Sequence, residues 1–579
     1  MAEKTTYSQF ACIGTGFSGI ALGCNIKRWY GITDIRLFEQ SSDLGGTWFA
    51  NQYPGCACDV PSLLYSFSFA PNPKWTKILP SHQEIWQYLD DVARQYGLRE
   101  KMSFNSRVER CEWIEQSGRW RITVRNTTSD TVHVHECQFL FSGSGVLVYP
   151  RKPDLPNIES FKGPVFHAAK WRHDVDLTNK NVALIGNGCS AAQIVPAIKD
   201  QAKHITQFIR TKHWIISPVQ VSNLKLFQWL FIHVPGFLKL SRFLFMMITE
   251  TEMKAFYMTK AAAAIRRSNT AEAVQYIKEK APKEYHDKLI PDFEIGCKRR
   301  IYDPNYLTSL HSENVTLRDD AIEEVTPKGI RSKDGHTDVD IIVLATGYET
   351  NSFCTNIDII GRQGVTAEEH WKALGGPGAY NTTSISGFPN LFLIVGPNSA
   401  TGHTSTIMAV ENSVNFALRL IKPVLQGKAM AVDVNPDAEK RYIGQIQTDL
   451  QQTVWLSGGC SNWYNRARDG SIHNGMLYPY SQPYFWYQCL FPVYKDFKYD
   501  PPKSKKPSRG KVWREVIRYS VLAAASLSGL SLVMSGTKSG WDLTRSVEFL
   551  KAQASVLQNG LVDRADTARQ FLPAVTVSQ

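Results

Sequence analysis

An α/β fold of two Rossmann-like βαβ halves, with a helical insertion and a C-terminal tail, is what the sequence predicts. Three observations predict it. A strand, a glycine turn, a helix and a second strand follow one another over residues 10–39, the same succession recurs over 182–209, and the pattern changes to long apolar and aromatic helical runs between about 217 and 296. With 579 residues, 43% hydrophobic and 20% charged, the chain is long enough for several domains. Its composition excludes collagen-like, low-complexity and multispanning membrane classes.

In the first unit, Phe10 to Ile13 reads as a strand, Gly14-Thr15-Gly16-Phe17-Ser18-Gly19 as the turn, Ile20 to Arg28 as the helix and Asp34 to Glu39 as the second strand. Gly14 permits a tight turn, Gly16 lets the backbone approach a pyrophosphate, and Gly19 permits close helix packing, with the helix N-terminus toward the phosphates. Glu39 lies about twenty residues beyond Gly19, where a carboxylate accepts from a ribose diol. That placement fits FAD or NAD and opposes a 2′-phosphorylated nucleotide. Further on, Ser81 with Glu84 reads as a capping box ahead of Ile85, Leu89, Val92 and Tyr96 at helical spacing, and two β-rich runs fill Trp120 to Ser142.

The second unit runs from Val182 to Ile185 through Gly186-Asn187-Gly188-Cys189-Ser190-Ala191 and a helix to a strand at His204 to Ile209. Arg210-Thr211-Lys212 stand where the first unit has Glu39. A 2′-phosphate favours a guanidinium fork over a carboxylate, so this unit is expected to take NADPH; the rival reading is solvated surface charge. The expected division is a discontinuous FAD-binding domain (1–150 plus 385–500), an NADPH-binding domain (151–384) that includes the insertion at about 217–296, and a basic linker, apolar segment and tail (501–579). Two units of opposite ribose chemistry imply hydride transfer from NADPH to a flavin.

Cysteine usage narrows the chemistry open to the reduced flavin. Cys56-Ala57-Cys58 is a CxC rather than a CxxC, and no dense cysteine framework is visible among 11 Cys, so a dithiol acceptor and a metal site are disfavoured and reduced cytosolic thiols are expected. Oxygen or a diffusible acceptor remains. The net charge of +12 is half accounted for by Lys503, Lys505, Lys506, Arg509, Lys511, Arg514 and Arg518 against Glu515. No zinc-finger, RRM or arginine-rich aromatic pattern accompanies them, so no nucleic-acid partner is expected. Residues 519–537 carry no charge but are diluted by five Ser and two Gly, which leaves a membrane span, an interfacial helix and a buried helix open. Without a charged N-terminal region and apolar run, the expectation is a cytoplasmic protein, not secreted, with membrane contact through this segment as an alternative. The aromatic run Phe227 to Ile248 reads by default as packing within the insertion, with a lid or a membrane-touching surface as alternatives. Tyr478, Tyr480, Tyr484, Phe485 and Trp486 read as core.

Gly45-Gly46-Thr47-Trp48-Phe49-Ala50-Asn51-Gln52-Tyr53-Pro54-Gly55-Cys56-Ala57-Cys58-Asp59 resembles the long fingerprint of the Baeyer–Villiger flavoprotein monooxygenases. Phe161 to Trp171 is similar to the family's second fingerprint, FxGxxxHxxxW, with Arg172 in place of the usual Pro or Asp. The resemblance covers roughly residues 8 to 490 and is closest to fungal secondary-metabolite members. It implies an FAD- and NADPH-dependent enzyme that inserts one oxygen of O2 into a small-molecule ketone, through a C4a-peroxyflavin, to give an ester or lactone. By the same resemblance Arg299 is the active-site arginine and Asp59 orients it. Gly14, Gly16, Phe17, Ser18, Gly19, Glu39, Thr47, Trp48, Phe49, Ala50, Asp59, Val60, Tyr65 and Val108 hold FAD. Ala57, Cys58, Asp59, Ile185, Gly186, Asn187, Gly188, Cys189, Ser190, Ala191, Arg210, Thr211, Lys298 and Trp463 hold NADP. His167 is expected at a hinge rather than in proton transfer. Two other classes stay open: an N- or S-hydroxylating flavin monooxygenase, and a membrane-tethered nucleotide-binding flavoprotein without turnover.

Overall fold

The continuous apolar run Phe10-Ala11-Cys12-Ile13 has the composition of a strand buried on both faces. In the computed structural model it forms the inner half of β1 (Thr6–Ile13), hydrogen-bonded on either side in the first sheet. The structure describes residues 5–219, 224–350, 353–354, 356–460, 462, 464 and 473–502. Trp463 and the basic and apolar tail from 503 onward lie outside them.

From β1 the chain enters the glycine turn and α1 (Phe17–Tyr30). That helix stops at Gly31, whose left-handed φ of 68° lets its N–H cap the Lys27 carbonyl. β2 (Ile35–Phe38) follows, parallel to β1. After the single turn α2 (Thr47–Ala50), α3 (His82–Gln95) starts at Ser81, whose side chain accepts from Glu84 N. Only half of the expected capping box forms. The Glu84 carboxylate accepts from Thr76 N and Thr76 Oγ1 instead, which ties the preceding loop to the helix. β3 (Met102–Ser103), β4 (Ser106–Ile114), β5 (Arg119–Asn126) and β6 (Val132–Ser142) follow, with β4, β5 and β6 antiparallel and β6 returning parallel to β1.

The second unit contains β7 (Val165–His167), β8 (Asn181–Ile185), α4 (Cys189–Ile198), β9 (His204–Phe208) and β10 (Ile215–Ile216). Next comes the helical insertion, with α5 (Leu224–His233), α6 (Phe237–Thr251) and α7 (Lys260–Lys280). β11 (Ile301–Tyr302) closes its base by pairing with β10. β12 (Val315–Arg318), the meander β13 (Ile322–Thr326), β14 (Gly329–Ser332) and β15 (Gly335–Asp338), and β16 (Ile341–Leu344) complete the unit. Its parallel sheet has the order β12-β9-β8-β16-β7.

The return to the first sheet comes earlier than the expected boundary at 385. β17 (Asp358–Ile360) already pairs with β4, and β18 (Leu391–Leu393) pairs with β6, giving the order β17-β4-β5-β6-β1-β2-β3 with β18 on β6. The physical reason is local: Ile359 and Ile360 are buried and cover the open edge of β4. A single apolar cluster takes in Phe10 and Leu22 of the first unit, Leu184 and Val195 of the second, and Val414 of the returning chain.

Two packing expectations are corrected. α5 and α6 bury no residue, so the run Phe227 to Ile248 is not packed away inside the insertion. Tyr478 and Phe485 are fully buried, but Tyr484 and Trp486 are exposed, because the helix Gln482–Leu490 turns only Gln482, Phe485 and Cys489 inward.

Candidate functional site

Steric limits fix the first glycine turn. A Cβ on Gly14 would stand 2.6 Å from the Gly143 carbonyl oxygen, and one on Gly19 would stand 2.2 Å from the Gly14 carbonyl oxygen. Gly16 is the N-cap of α1 and offers no side chain, so the first N–H groups of the helix, beginning at Phe17 and Ser18, keep their capacity for an anion. Gly46 packs directly on this turn, since a Cβ there would approach Gly16 Cα at 3.1 Å, and it leads into Thr47, Trp48, Phe49 and Ala50. Trp48 Nε1 donates to Tyr65 OH at 3.1 Å, and the Phe17 ring meets the Tyr65 ring edge-on at 5.2 Å. Burial pushes the Tyr65 hydroxyl far above its usual range. Val60 lies buried one residue past Asp59, its N–H on Cys58 Sγ.

Glu39 sits at the end of β2, as its spacing requires. One carboxylate oxygen accepts from Thr15 N and Thr15 Oγ1, the other from Ser41 N. It therefore stiffens the glycine turn while retaining further lone pairs for a diol. Ser106 N donates to Glu39 O, which brings β4 and Val108 beside the same strand end, and a bulge between Val108 and Arg110 breaks the ladder there.

The second turn repeats the design. Gly186 has φ 136°, and a Cβ would strike the Ala345 carbonyl oxygen at 2.2 Å; Gly188, the N-cap of α4, meets nothing within 4 Å. Ile185 ends β8, Cys189 and Ser190 open the helix, and Ala191 is fully buried beneath it. Asn187 Nδ2 donates to Thr211 O at 3.2 Å, fastening the turn to the segment after β9. Arg210 and Thr211 are exposed.

The fingerprint segment bridges the two units. Tyr53 OH donates to Gln193 Oε1 at 2.9 Å, Ser190 Oγ donates to Tyr53 OH, and Gln193 Nε2 donates to Ala57 O at 3.0 Å. Gly55 is obligatory at this crossing, because a Cβ would lie 2.5 Å from Gln193 O on α4. Strapped down in this way, Cys58 and Asp59 reach the loop that precedes β11. Arg299 Nε and Nη2 donate to Asp59 Oδ2 and Oδ1, both at 2.6 Å, a bidentate pair. The two side chains keep 32% and 25% of their surface open. Burial pushes the Asp59 carboxyl up, but the Arg299 charge and its hydrogen bonds outweigh this and hold it below the usual range. The Asp59 charge in turn holds the guanidinium protonated. Tyr464, buried, lies within electrostatic reach of the same guanidinium, and burial pushes its hydroxyl up to about 12. The adjacent Lys298 is buried, with its ammonium 4.7 Å from the centre of the Phe293 ring.

The cysteine expectation is half corrected. Cys297 and Cys460 form a disulfide across 163 residues, so not all thiols are reduced. The bond joins the Arg299 loop to the segment carrying Asn462 and Tyr464, where Asn462 Nδ2 also donates to Cys297 O and Trp455 O. Burial pushes the thiols of Cys56 and Cys189 up to about 12 and that of Cys58 well above its usual range, leaving them poor nucleophiles, in keeping with the reading of Cys56-Ala57-Cys58. His167 is buried at the end of β7, accepts from Ala169 N, and is pushed by burial down to about 4, so it is neutral. Trp171 packs edge-on against Phe166, while Arg172 pairs with Asp174 at the surface.

The profile of the flavin-binding monooxygenase-like family matches residues 7–358. A Baeyer–Villiger monooxygenase of Streptomyces coelicolor is 37% identical over 480 residues, 81% of this chain and 88% of the relative. The chain belongs to this flavin-binding monooxygenase family. An Aspergillus niger FAD-binding monooxygenase, ktnD, is 30% identical over 480 residues, 81% of this chain and 78% of that one. Among solved structures, cyclohexanone monooxygenase from Rhodococcus sp. Phi1 bound to NADP+ has the same fold, with a TM-score of 0.73 at 24% identity, covering 86% of this chain and all of that one.

The residues of this family member fit two dinucleotides on internal grounds. Both helix N-termini end in glycine without a side-chain cap, Gly188 looks onto open space, and His213 Nδ1, next to Lys212, is buried with no hydrogen-bond partner among the described residues. Burial pushes His213 down to about 4, so it is a neutral ring. Sequence reasoning missed His213, Gln193, Tyr464 and the disulfide. His213 follows Arg210-Thr211-Lys212 directly and Tyr464 closes the Cys460-Ser461-Asn462-Trp463-Tyr464 run, but partners so distant in sequence have no local signal.

Proposed function

We infer that the chain is an FAD- and NADPH-dependent Baeyer–Villiger monooxygenase that converts a small-molecule ketone and O2 into an ester or lactone. The observation that carries this reading is the bidentate Asp59–Arg299 pair, held where the first unit's fingerprint crosses onto the second unit. Bound flavin, reduced by NADPH, supplies oxygen activation and transfer. The chain's own residues do the rest. The turn Gly14 to Gly19 with Thr47 to Ala50, Val60, Tyr65 and the β4 backbone at Val108 holds the flavin dinucleotide, and Glu39 takes its ribose. The turn Ile185 to Ala191 with Arg210, Thr211 and Lys298 holds NADPH, and Ala57 and Cys58 line the approach of its nicotinamide, with Trp463 as a further contact. Arg299 offers fixed positive charge where negative charge develops on oxygen, and Asp59 and Tyr464 keep it aimed.

A secondary-metabolite ketone is the substrate class this reading favours, supported by the fungal relatives at about 30% identity. Its cellular setting is the cytosol, with membrane contact through residues 501–579 supported by their sequence alone. The competing reading, N- or S-oxidation, is tested by offering one molecule that bears both a ketone and a thioether or amine. Ester or lactone formation supports the proposal, and exclusive sulfoxide or hydroxylamine formation refutes it.

A further inference from the structure

The helical insertion presents its most apolar face outward. On α6, Leu240, Phe243, Leu244, Met247 and Ile248 recur at the spacing of one helix face, and all five are exposed, Ile248 to 64%. On α5, Leu226, Trp229 and Ile232 are exposed in the same way, Trp229 to 55%. The hairpin is held to the body from its other side. Arg242 donates to Leu63 O, Ser66 Oγ and Ser66 O, and Gln228 donates to Trp75 O, so the polar anchors point in and the apolar stripe points out. A continuous apolar face of this kind marks a binding surface.

We propose that the α5–α6 hairpin docks the protein on an anionic phospholipid bilayer. Charge selects this occupant. Leu224 to Thr249 contains no Asp or Glu, while Lys225 and Lys239 are exposed beside the stripe. An apolar face with tryptophan and flanking lysines is the composition of a helix lying in a lipid interface. A second copy of the chain apposed through this face would bring lysines against lysines with no acid between them. The surface is independent of the reaction proposed above.

The test is co-sedimentation of the full-length holoprotein with phosphatidylcholine vesicles, with and without phosphatidylserine. Binding is expected to be at least about tenfold stronger on the serine-containing vesicles. The variant Leu240→Ser/Leu244→Ser/Ile248→Ser should lose about tenfold or more of it, and Lys225→Glu/Lys239→Glu should weaken the preference for phosphatidylserine. FAD content and NADPH-driven flavin reduction, unchanged in both, verify folding. A triple variant that binds as well as the native protein would assign membrane contact to another part of the chain and overturn the proposal. So would a native protein that ignores both vesicles, whether it is a monomer or a dimer that the triple variant dissociates.

Discussion

At the scale of single residues, the site rests on one guanidinium and what holds it. On the function proposed above, each dinucleotide is held by its own glycine turn without Arg299, so Arg299→Ala is expected to bind FAD and reduce it normally. Ester or lactone formation should fall by about 10²-fold or more, the loss typical of removing a group that stabilises developing oxyanion charge, with NADPH consumption diverted to hydrogen peroxide. Stopped-flow reduction together with product analysis checks both halves. Asp59 carries a pH prediction. Its carboxyl is held below the ordinary aspartate range, so the stabilisation it contributes is present above about pH 3.9 and is lost only as pH falls through its lowered value. The acid limb of the pH–rate profile should therefore not shift in Asp59→Asn, although the rate drops throughout. Arg299 and Asp59 were legible because the fingerprint at 45–59 and the run Cys297 to Arg300 carry them. Tyr464 and His213 were not, since their proximity to Arg299 and Lys298 is made in space and leaves no mark in the local sequence.

At the scale of elements, the two glycine turns separate folding from binding. Gly186 has no room for a Cβ against Ala345, whereas Gly188 has nothing within 4 Å. Gly186→Ala is expected to destabilise the chain by more than about 1 kcal/mol, from the clash and its positive φ, read as a lowered Tm. Gly188→Ala should leave Tm and FAD content unchanged and raise KM for NADPH, about tenfold, by intruding on the pyrophosphate path. If Arg210 addresses the 2′-phosphate as proposed, Arg210→Ala should raise KM for NADPH more than for NADH. Both βαβ openings were readable because strand hydrophobicity, glycine turn and helix period are local. The early return of β17 was not, since its pairing with β4 depends on an edge formed 248 residues before. Nor was the orientation of α5 and α6 readable, because periodicity gives a helix its apolar stripe without saying which way the stripe faces.

At the scale of the whole molecule, the Arg299 loop is tied three times: to the first unit by Asp59, to the 454–464 segment by Asn462, and across 163 residues by the Cys297–Cys460 disulfide. Titration of the denatured, unreduced protein should find nine thiols, and eleven after reduction. Cys460→Ser should lower stability by about 2–4 kcal/mol, measured by denaturant unfolding. The proposed role of these tethers is to set Arg299 to assist transfer of one oxygen atom from O2 into a ketone. Turnover of a cyclic ketone under 18O2 measures it most directly. One 18O incorporated into the lactone per NADPH oxidised is the predicted result; NADPH oxidation that yields hydrogen peroxide and no labelled lactone across a panel of cyclic and polyketide-like ketones would contradict it.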